Sequence, residues 1–289
     1  MKTMSRIRIF ILILVIPITF LSLVNSCTGN SKKNEKAATT ENNGLPQIVR
    51  EQVKYTSGND TLVGYLFYDK NSDERKPGII VVPEWWGNND YPQMRARKLA
   101  ELGYTTFSAD MYGGGKVVDN PKEAQENASR VYTDPAKLKN RMMAAYNTLS
   151  NSDKVNSERI AAIGYCFGGS VCLNAASMGV PLDAVVSFHG GLDGFKASPE
   201  IKNTKILVCN GRADQMVTRE QLQQFKKEMN RVDAKFELRE YDGATHAFTN
   251  PAATANGKKF NMPIAYNETA DKASWQDMLD FFDANFPIK

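Results

Sequence analysis

Gly164-Tyr165-Cys166-Phe167-Gly168-Gly169 places a cysteine among small residues directly after the strand-like run Arg159-Ile160-Ala161-Ala162-Ile163. This G-x-C-x-G pattern suits a nucleophile elbow, a strand-to-helix turn so sharp that bulky neighbours would collide around the central side chain. A sulfur at that point stands clear of the sheet, at a helix N-terminus where the dipole and free N–H groups favour thiolate over thiol. Cys166 is therefore the candidate nucleophile. The competing reading is a buried structural cysteine before a Gly-Gly turn.

Two later segments favour the chemical reading. When an elbow nucleophile sits on a parallel α/β sheet, its acid and base follow it in that order, on loops at the C-terminal ends of later strands. Lys205-Ile206-Leu207-Val208-Cys209 reads as a strand and runs into Asn210-Gly211-Arg212-Ala213-Asp214, which makes Asp214 the acid candidate. Phe236 to Tyr241 reads as the next strand and leads to Asp242-Gly243-Ala244-Thr245-His246, so His246 is the base candidate. The chain has only 2 histidines. The other, His189, lies between cysteine and aspartate, the wrong order for the base; it is assigned to lining or hydrogen-bonding the cleft, with a structural role equally open.

The positioning elements follow from periodicity. Strand-like runs at Val49–Tyr55, Leu62–Tyr68, Ile79–Val82, Thr105–Ser108, Ile160–Ile163, Ala184–Phe188, Ile206–Cys209 and Phe236–Tyr241 alternate, after the first two, with helical stretches. Pro121–Tyr132, Asp134–Ser150 and Tyr266–Phe286 read as helices, the second opened by an Asp-Pro cap and first turn. The expected fold is an α/β-hydrolase: a mostly parallel, doubly wound sheet of about eight strands with helices on both faces.

The Cys, Asp, His order, Val82-Pro83-Glu84-Trp85-Trp86-Gly87 after an early strand, and Asp110-Met111-Tyr112 after the next resemble the dienelactone hydrolase family over nearly all of residues 46–289. The resemblance implies that Glu84 contacts the cysteine and takes part in its activation. It also implies that the backbone N–H groups of Trp85 and Phe167 form the oxyanion hole. Fixed donors aimed at a developing oxyanion contribute about 3 to 4 kcal/mol. Dienelactone-cleaving members hold the substrate carboxylate with two arginines, at positions that here are Gly114 and Asn250. The chemistry therefore transfers better than the substrate does, because arginine supplies the planar fork that carboxylates favour. Trp86, Tyr112, His189 and Phe248 are expected to line a largely apolar cleft, with Trp85, Tyr91, Phe167 and Phe195 as further aromatic candidates.

The expected activity is hydrolysis of a carboxylic ester or lactone through a thioester on Cys166, with His246 managing protons and Asp214 orienting it. Glu84, His246 and the helix end all remain open as the source of thiol activation. Rival readings are a non-catalytic ligand-binding protein on the same fold, and a thioesterase or peptidase. A serine enzyme is disfavoured, since Ser170 lies four residues past the elbow centre.

Lys2, Arg6 and Arg8 precede or open the apolar stretch Ile7 to Val24, and the run ends in Leu21-Ser22-Leu23-Val24-Asn25-Ser26-Cys27. This reads as a secretory signal over residues 1–26 with a loose bacterial lipobox, so that Cys27 becomes the lipidated first residue of an exported, membrane-anchored protein of the cell envelope. An uncleaved transmembrane anchor is the alternative. Residues 27–45, rich in Ser, Lys, Asn, Thr and Ala, read as a flexible tether, and 46–289 as the enzyme domain. The formal charge of +4 owes most of its excess to those three leader residues, so nucleic acid is not an expected partner. Of 4 cysteines, Cys172 and Cys209 read as small buried hydrophobes. With distant histidines and no CxxC, neither metal nor cofactor is expected.

Overall fold

The computed structural model describes residues 45–288, which lie within one compact unit. The leader, Cys27 and the tether up to residue 44 fall outside the described residues. Eight strands form one sheet: β1 (Ile48–Ser57), β2 (Asp60–Asp69), β3 (Lys76–Val82), β4 (Thr105–Ser108), β5 (Val155–Tyr165), β6 (Ala184–Phe188), β7 (Lys205–Gly211) and β8 (Phe236–Tyr241). Their order is β1-β2-β4-β3-β5-β6-β7-β8. The β1–β2 and β2–β4 pairs are antiparallel, and every pair from β4 through β8 is parallel.

Parallel strands covered on both faces read as continuous apolar runs, and alternate residues supply opposite cores. In β3, Ile80 and Val82 enter one core while Ile79 and Val81 enter the other. The same alternation runs through β5, where Ile160 and Ala162 face the first core and Ala161 and Ile163 the second. The first core is covered by α2 (Pro121–Tyr132), α3 (Pro135–Ser150), α4 (Phe167–Ser177) and α5 (Arg219–Arg231). Helices α1 (Asp90–Glu101) and α7 (Glu268–Asn285) cover the second. A short α6 (Ala253–Phe260) lies in the long connection between β8 and α7.

Local chemistry sets the helix starts. Asn120 and Asp134 accept the N–H of Glu123 and Lys137 ahead of Pro121 and Pro135, so each cap fills one orphan donor where proline removes another. Helix α5 opens with a reciprocal capping box between Thr218 and Gln221.

The junction of β5 and α4 is tighter than any cap. A Cβ on Gly164 would stand 2.1 Å from the Gly168 carbonyl oxygen, and one on Gly168 would stand 2.3 Å from the Val82 carbonyl oxygen. Only glycine lets the first turn of α4 fold back on β5 while lying against the end of β3. That contact brings the loop after β3 beside the elbow. Because the colliding atoms are backbone, Gly164→Ala is expected to lower unfolding free energy by about 2 to 3 kcal/mol, at the upper end for overpacking. Urea denaturation checks this; a loss under about 0.5 kcal/mol would contradict it.

Candidate active site

Cys166 occupies the turn between β5 and α4 with φ 52° and ψ −115°, a backbone that L-residues avoid and that is held here by the packing around it. Its N–H reaches the Phe188 carbonyl at 2.9 Å. The side chain is half-buried and faces a cavity of about 170 Å³ at the C-terminal ends of the parallel strands. A larger cleft of about 590 Å³, between Pro46, Tyr68, Lys76 and Tyr104, opens at the N-terminal ends and holds neither histidine nor cysteine.

Asp214 lies just beyond β7, where its Oδ1 accepts the N–H groups of Met216 at 2.7 Å and Val217 at 3.1 Å. These bonds fix the carboxylate and leave Oδ2 to receive Nδ1–H of His246 at 2.9 Å. When the ring is neutral, the proton on Nδ1 leaves a lone pair on Nε2. Nε2 is buried and makes no hydrogen bond of ordinary geometry, yet His246 lines the same cavity as Cys166. Burial pulls the imidazole pKa down, but negative charge on Cys166 and the bond to Asp214 push it up to about 10. The structure thus brings sulfur, imidazole and carboxylate to one rim of the sheet.

Glu84, in the loop after β3, is 4% exposed and lines the cavity too. Burial pushes its carboxyl up to about 7, against the opposing hydrogen bond from Asn250 and the charges of His246 and Arg95. Asn250 donates Nδ2–H to Glu84 Oε2 at 2.6 Å. A neutral amide here holds the glutamate at the position where the resemblance leads one to expect an arginine. The other such position, Gly114, lies away from the cavity over Thr61. Trp85 and Phe167 line the cavity, and Phe167, as the first residue of α4, has an N–H outside the helical ladder.

The four expected cleft residues divide. Trp86 lines the cavity, whereas Tyr112, His189 and Phe248 do not. Tyr112 lies behind the wall, donating its hydroxyl to the Trp85 carbonyl at 2.9 Å and packing on Phe167. Phe248 is fully buried with Ala244 and Ala270, where an apolar ring gains most from leaving water. His189 is fully buried behind the elbow and accepts the Cys166 N–H through Nδ1 at 3.1 Å. Tyr91 and Phe195 also turn inward, Tyr91 bonding to Thr249 and Phe195 packing on Phe225. Residues that spacing did not single out supply the walls instead: Gln125, Ala128 and Tyr132 of α2, Met216, Met262 and Ile264. No local motif marks them, because they come from separate segments brought together only by folding. Among the described residues no cluster of His, Cys, Asp and Glu fits a metal ion.

This constellation, at the ends of parallel strands beside a sharp strand-to-helix turn, defines an α/β-hydrolase. A model of the dienelactone hydrolase family matches residues 62–286, and the chain belongs to that family. It is similar to the crystal structure of a dienelactone hydrolase-like promiscuous phosphotriesterase from metagenomic libraries, with 34% identity and a TM-score of 0.78 over 82% of this chain and 98% of that one. An uncharacterized protein of Caenorhabditis elegans is 31% identical over 52% of this chain and 95% of its own length. A Salmonella typhimurium protein named "Putative carboxymethylenebutenolidase" is 24% identical over 78% of this chain and 84% of its own.

The Glu84 environment has a thermodynamic consequence. A carboxyl whose folded-state pKa lies near 7 binds its proton more tightly when folded than when unfolded, so stability falls as pH rises from about 4.5 to 7 and levels off above. The penalty approaches about 3 kcal/mol. Glu84→Gln is therefore expected to gain up to that amount over the native chain as pH is raised from 5 to 8 in urea denaturation. Parallel pH curves for the two proteins would contradict it.

Proposed function

We propose that this chain hydrolyses uncharged carboxylic esters or lactones with a short acyl part, using Cys166 as nucleophile. One observation carries the reading: His246, bonded through Nδ1 to Asp214, lines the same cavity as the elbow cysteine and has its buried Nε2 left to interact with Cys166.

In the first half of the reaction the Cys166 thiolate attacks the carbonyl carbon. The carbonyl oxygen takes up the electron pair and receives the N–H groups of Trp85 and Phe167. As the tetrahedral adduct collapses, the C–O bond to the leaving group breaks and the imidazolium of His246 protonates the departing alkoxide. In the second half His246 takes a proton from water, hydroxide adds to the thioester, and the acid leaves as the sulfur is restored. Asp214 holds the imidazole ring in the productive tautomer throughout. Glu84 is a second proton-carrying group in the same cavity, balanced between its two forms near neutrality.

Size and charge support the substrate class. A cavity of about 170 Å³ is close to the roughly 150 Å³ that accommodates benzene in an engineered protein core, a size that suits a short acyl part. Its walls are mostly apolar, with Trp85, Trp86, Tyr132, Phe167 and Ile264 among them, and no lysine or arginine is among the described residues that line it. A carboxylate on the substrate would meet no arginine or lysine there, and the His246 imidazolium is already opposed by the negative charge of Cys166.

Cys166→Ala is expected to abolish hydrolysis of 4-nitrophenyl acetate and butyrate, measured by 4-nitrophenol release. Unchanged turnover would remove the cysteine from the mechanism. For the native chain, kcat/KM on the half-ester 4-nitrophenyl succinate should fall at least about tenfold below that on 4-nitrophenyl butyrate, the equivalent of about 1.4 kcal/mol for an unpaired charge. Equal values would refute the charge assignment.

We also propose, from the leader sequence, that Cys27 is acylated and tethers the enzyme to a membrane of the cell envelope. Labelled palmitate should enter the native chain in a bacterial host and be lost in Cys27→Ser; labelling that persists in the variant would overturn this.

A further inference from the structure

We propose that His189 is a positioning residue: its imidazole ties the backbone of the elbow to the loop that carries His246 and Asn250, and so sets the sulfur against the base. This inference rests on the reading of Cys166 as nucleophile.

His189 follows β6 with a left-handed φ of 41° and is 0% exposed. The Cys166 N–H lies 2.9 Å from the Phe188 carbonyl and 3.1 Å from His189 Nδ1, so one donor serves two acceptors. An Nδ1 that accepts must carry its ring proton on Nε2, and Nε2 lies 2.7 Å from the Thr249 hydroxyl. Burial, then the charges of His246 and Arg95, hold His189 well below the usual histidine range. Its ring stays neutral, as an Nδ1 acceptor requires.

Thr249 anchors the other end of this bridge. The Tyr91 hydroxyl donates to its Oγ1 at 2.6 Å, and Arg95 donates to its carbonyl oxygen at 2.7 Å. Arg95 is itself buried and paired with Asp271 of α7. Thr249 stands three residues beyond His246 and next to Asn250, which holds Glu84. The His189 ring also packs edge-on against His246, with centroids 5.2 Å apart, and against Phe248 at the same separation. A displacement of the His189 ring would therefore reach Cys166, His246 and Glu84 together.

A satisfied core histidine would make the same bonds without consequence for chemistry, so the test separates the two nitrogens. In His189→Asn the amide oxygen falls near Nδ1 and keeps the acceptor for the Cys166 N–H. In His189→Gln the amide nitrogen falls near Nε2 and keeps only the Thr249 link. Two rates are measured: alkylation of Cys166 by iodoacetamide between pH 6 and 9, and kcat and KM on 4-nitrophenyl acetate. Melting temperature is recorded alongside.

Each variant cuts the bridge at one end, so each should lose about 10- to 100-fold in kcat with KM little changed, as small misplacements of reacting groups do; alkylation should stay within about threefold of native in the Asn variant, which keeps the elbow bond, and change by more than that in the Gln variant. Native kcat in either variant, or losses that merely track melting temperature, would overturn the proposal. Should either His189 variant fail to fold, Thr249→Val cuts the same bridge from its far end and must lower kcat more than it raises KM; native kinetics there would overturn it too. If the native chain hydrolyses no ester, the functional reading fails, and the alkylation rates still decide whether His189 governs the elbow.

Discussion

Cys166 can face the cavity only because its backbone is forced into a left-handed turn that two glycine-lined contacts make possible and a web of hydrogen bonds maintains. A single residue in such a conformation costs on the order of 1 to 3 kcal/mol, which the surrounding packing must offset. Gly164 and Gly168 let α4 approach β5 and the end of β3, and that approach sets Glu84 and Trp85 beside Cys166 and Phe167. The order of strands then does the rest. With β7 and β8 running parallel to β5 and β6, the loops carrying Asp214 and His246 open at the same edge as the elbow. The site is a consequence of one tight junction and one strand direction.

The electrostatics of the cavity follow from what surrounds it. Arg95 is buried close enough to influence Glu84 and His189, but its guanidinium is occupied by Asp271, Thr249 and the Tyr91 hydroxyl. No lysine or arginine enters the cavity wall from the described residues, and Glu84, bonded to the neutral side chain of Asn250, keeps a carboxyl balanced near neutral pH. An arginine in the place of Asn250 would lower that carboxyl and present a fork to anionic substrates. An amide rather than a cation at that position leaves the protonation of Glu84 set chiefly by burial against one neutral donor.

Much of this was legible in the chain, for identifiable reasons. Strands β4, β6 and β8 coincide with their apolar or alternating runs, and Pro121 and Pro135 mark the starts of α2 and α3. β5 runs from Val155, earlier than its apolar core, because the ladder to β3 continues past polar Asn156. Helix α6 leaves little trace, having no side-chain cap and few buried positions. The positions of Cys166, Asp214 and His246 at one edge of the sheet were legible because backbone geometry restricts residue type at the sharp turn and strand order restricts which loops open beside it. The aromatic assignments fared differently. A ring near a strand end gains as much by turning into a core as by lining a cleft, and Tyr112, Phe248 and His189 did turn inward. The Tyr91–Thr249 and Asn250–Glu84 bonds join residues more than 150 positions apart, and no local pattern encodes such a pair.

The central claim is that an acyl group passes through a thioester on Cys166, and trapping that species tests it most directly. The native chain would be mixed with 4-nitrophenyl trimethylacetate, whose crowded acyl group slows the second half-reaction. The mixture would be quenched in acid within milliseconds to seconds and digested for mass spectrometry. The account predicts an acyl adduct on the peptide containing Cys166, removable by hydroxylamine and formed at least as fast as 4-nitrophenol appears in the steady state. Turnover with no adduct there, or with the acyl group on another residue, would contradict it.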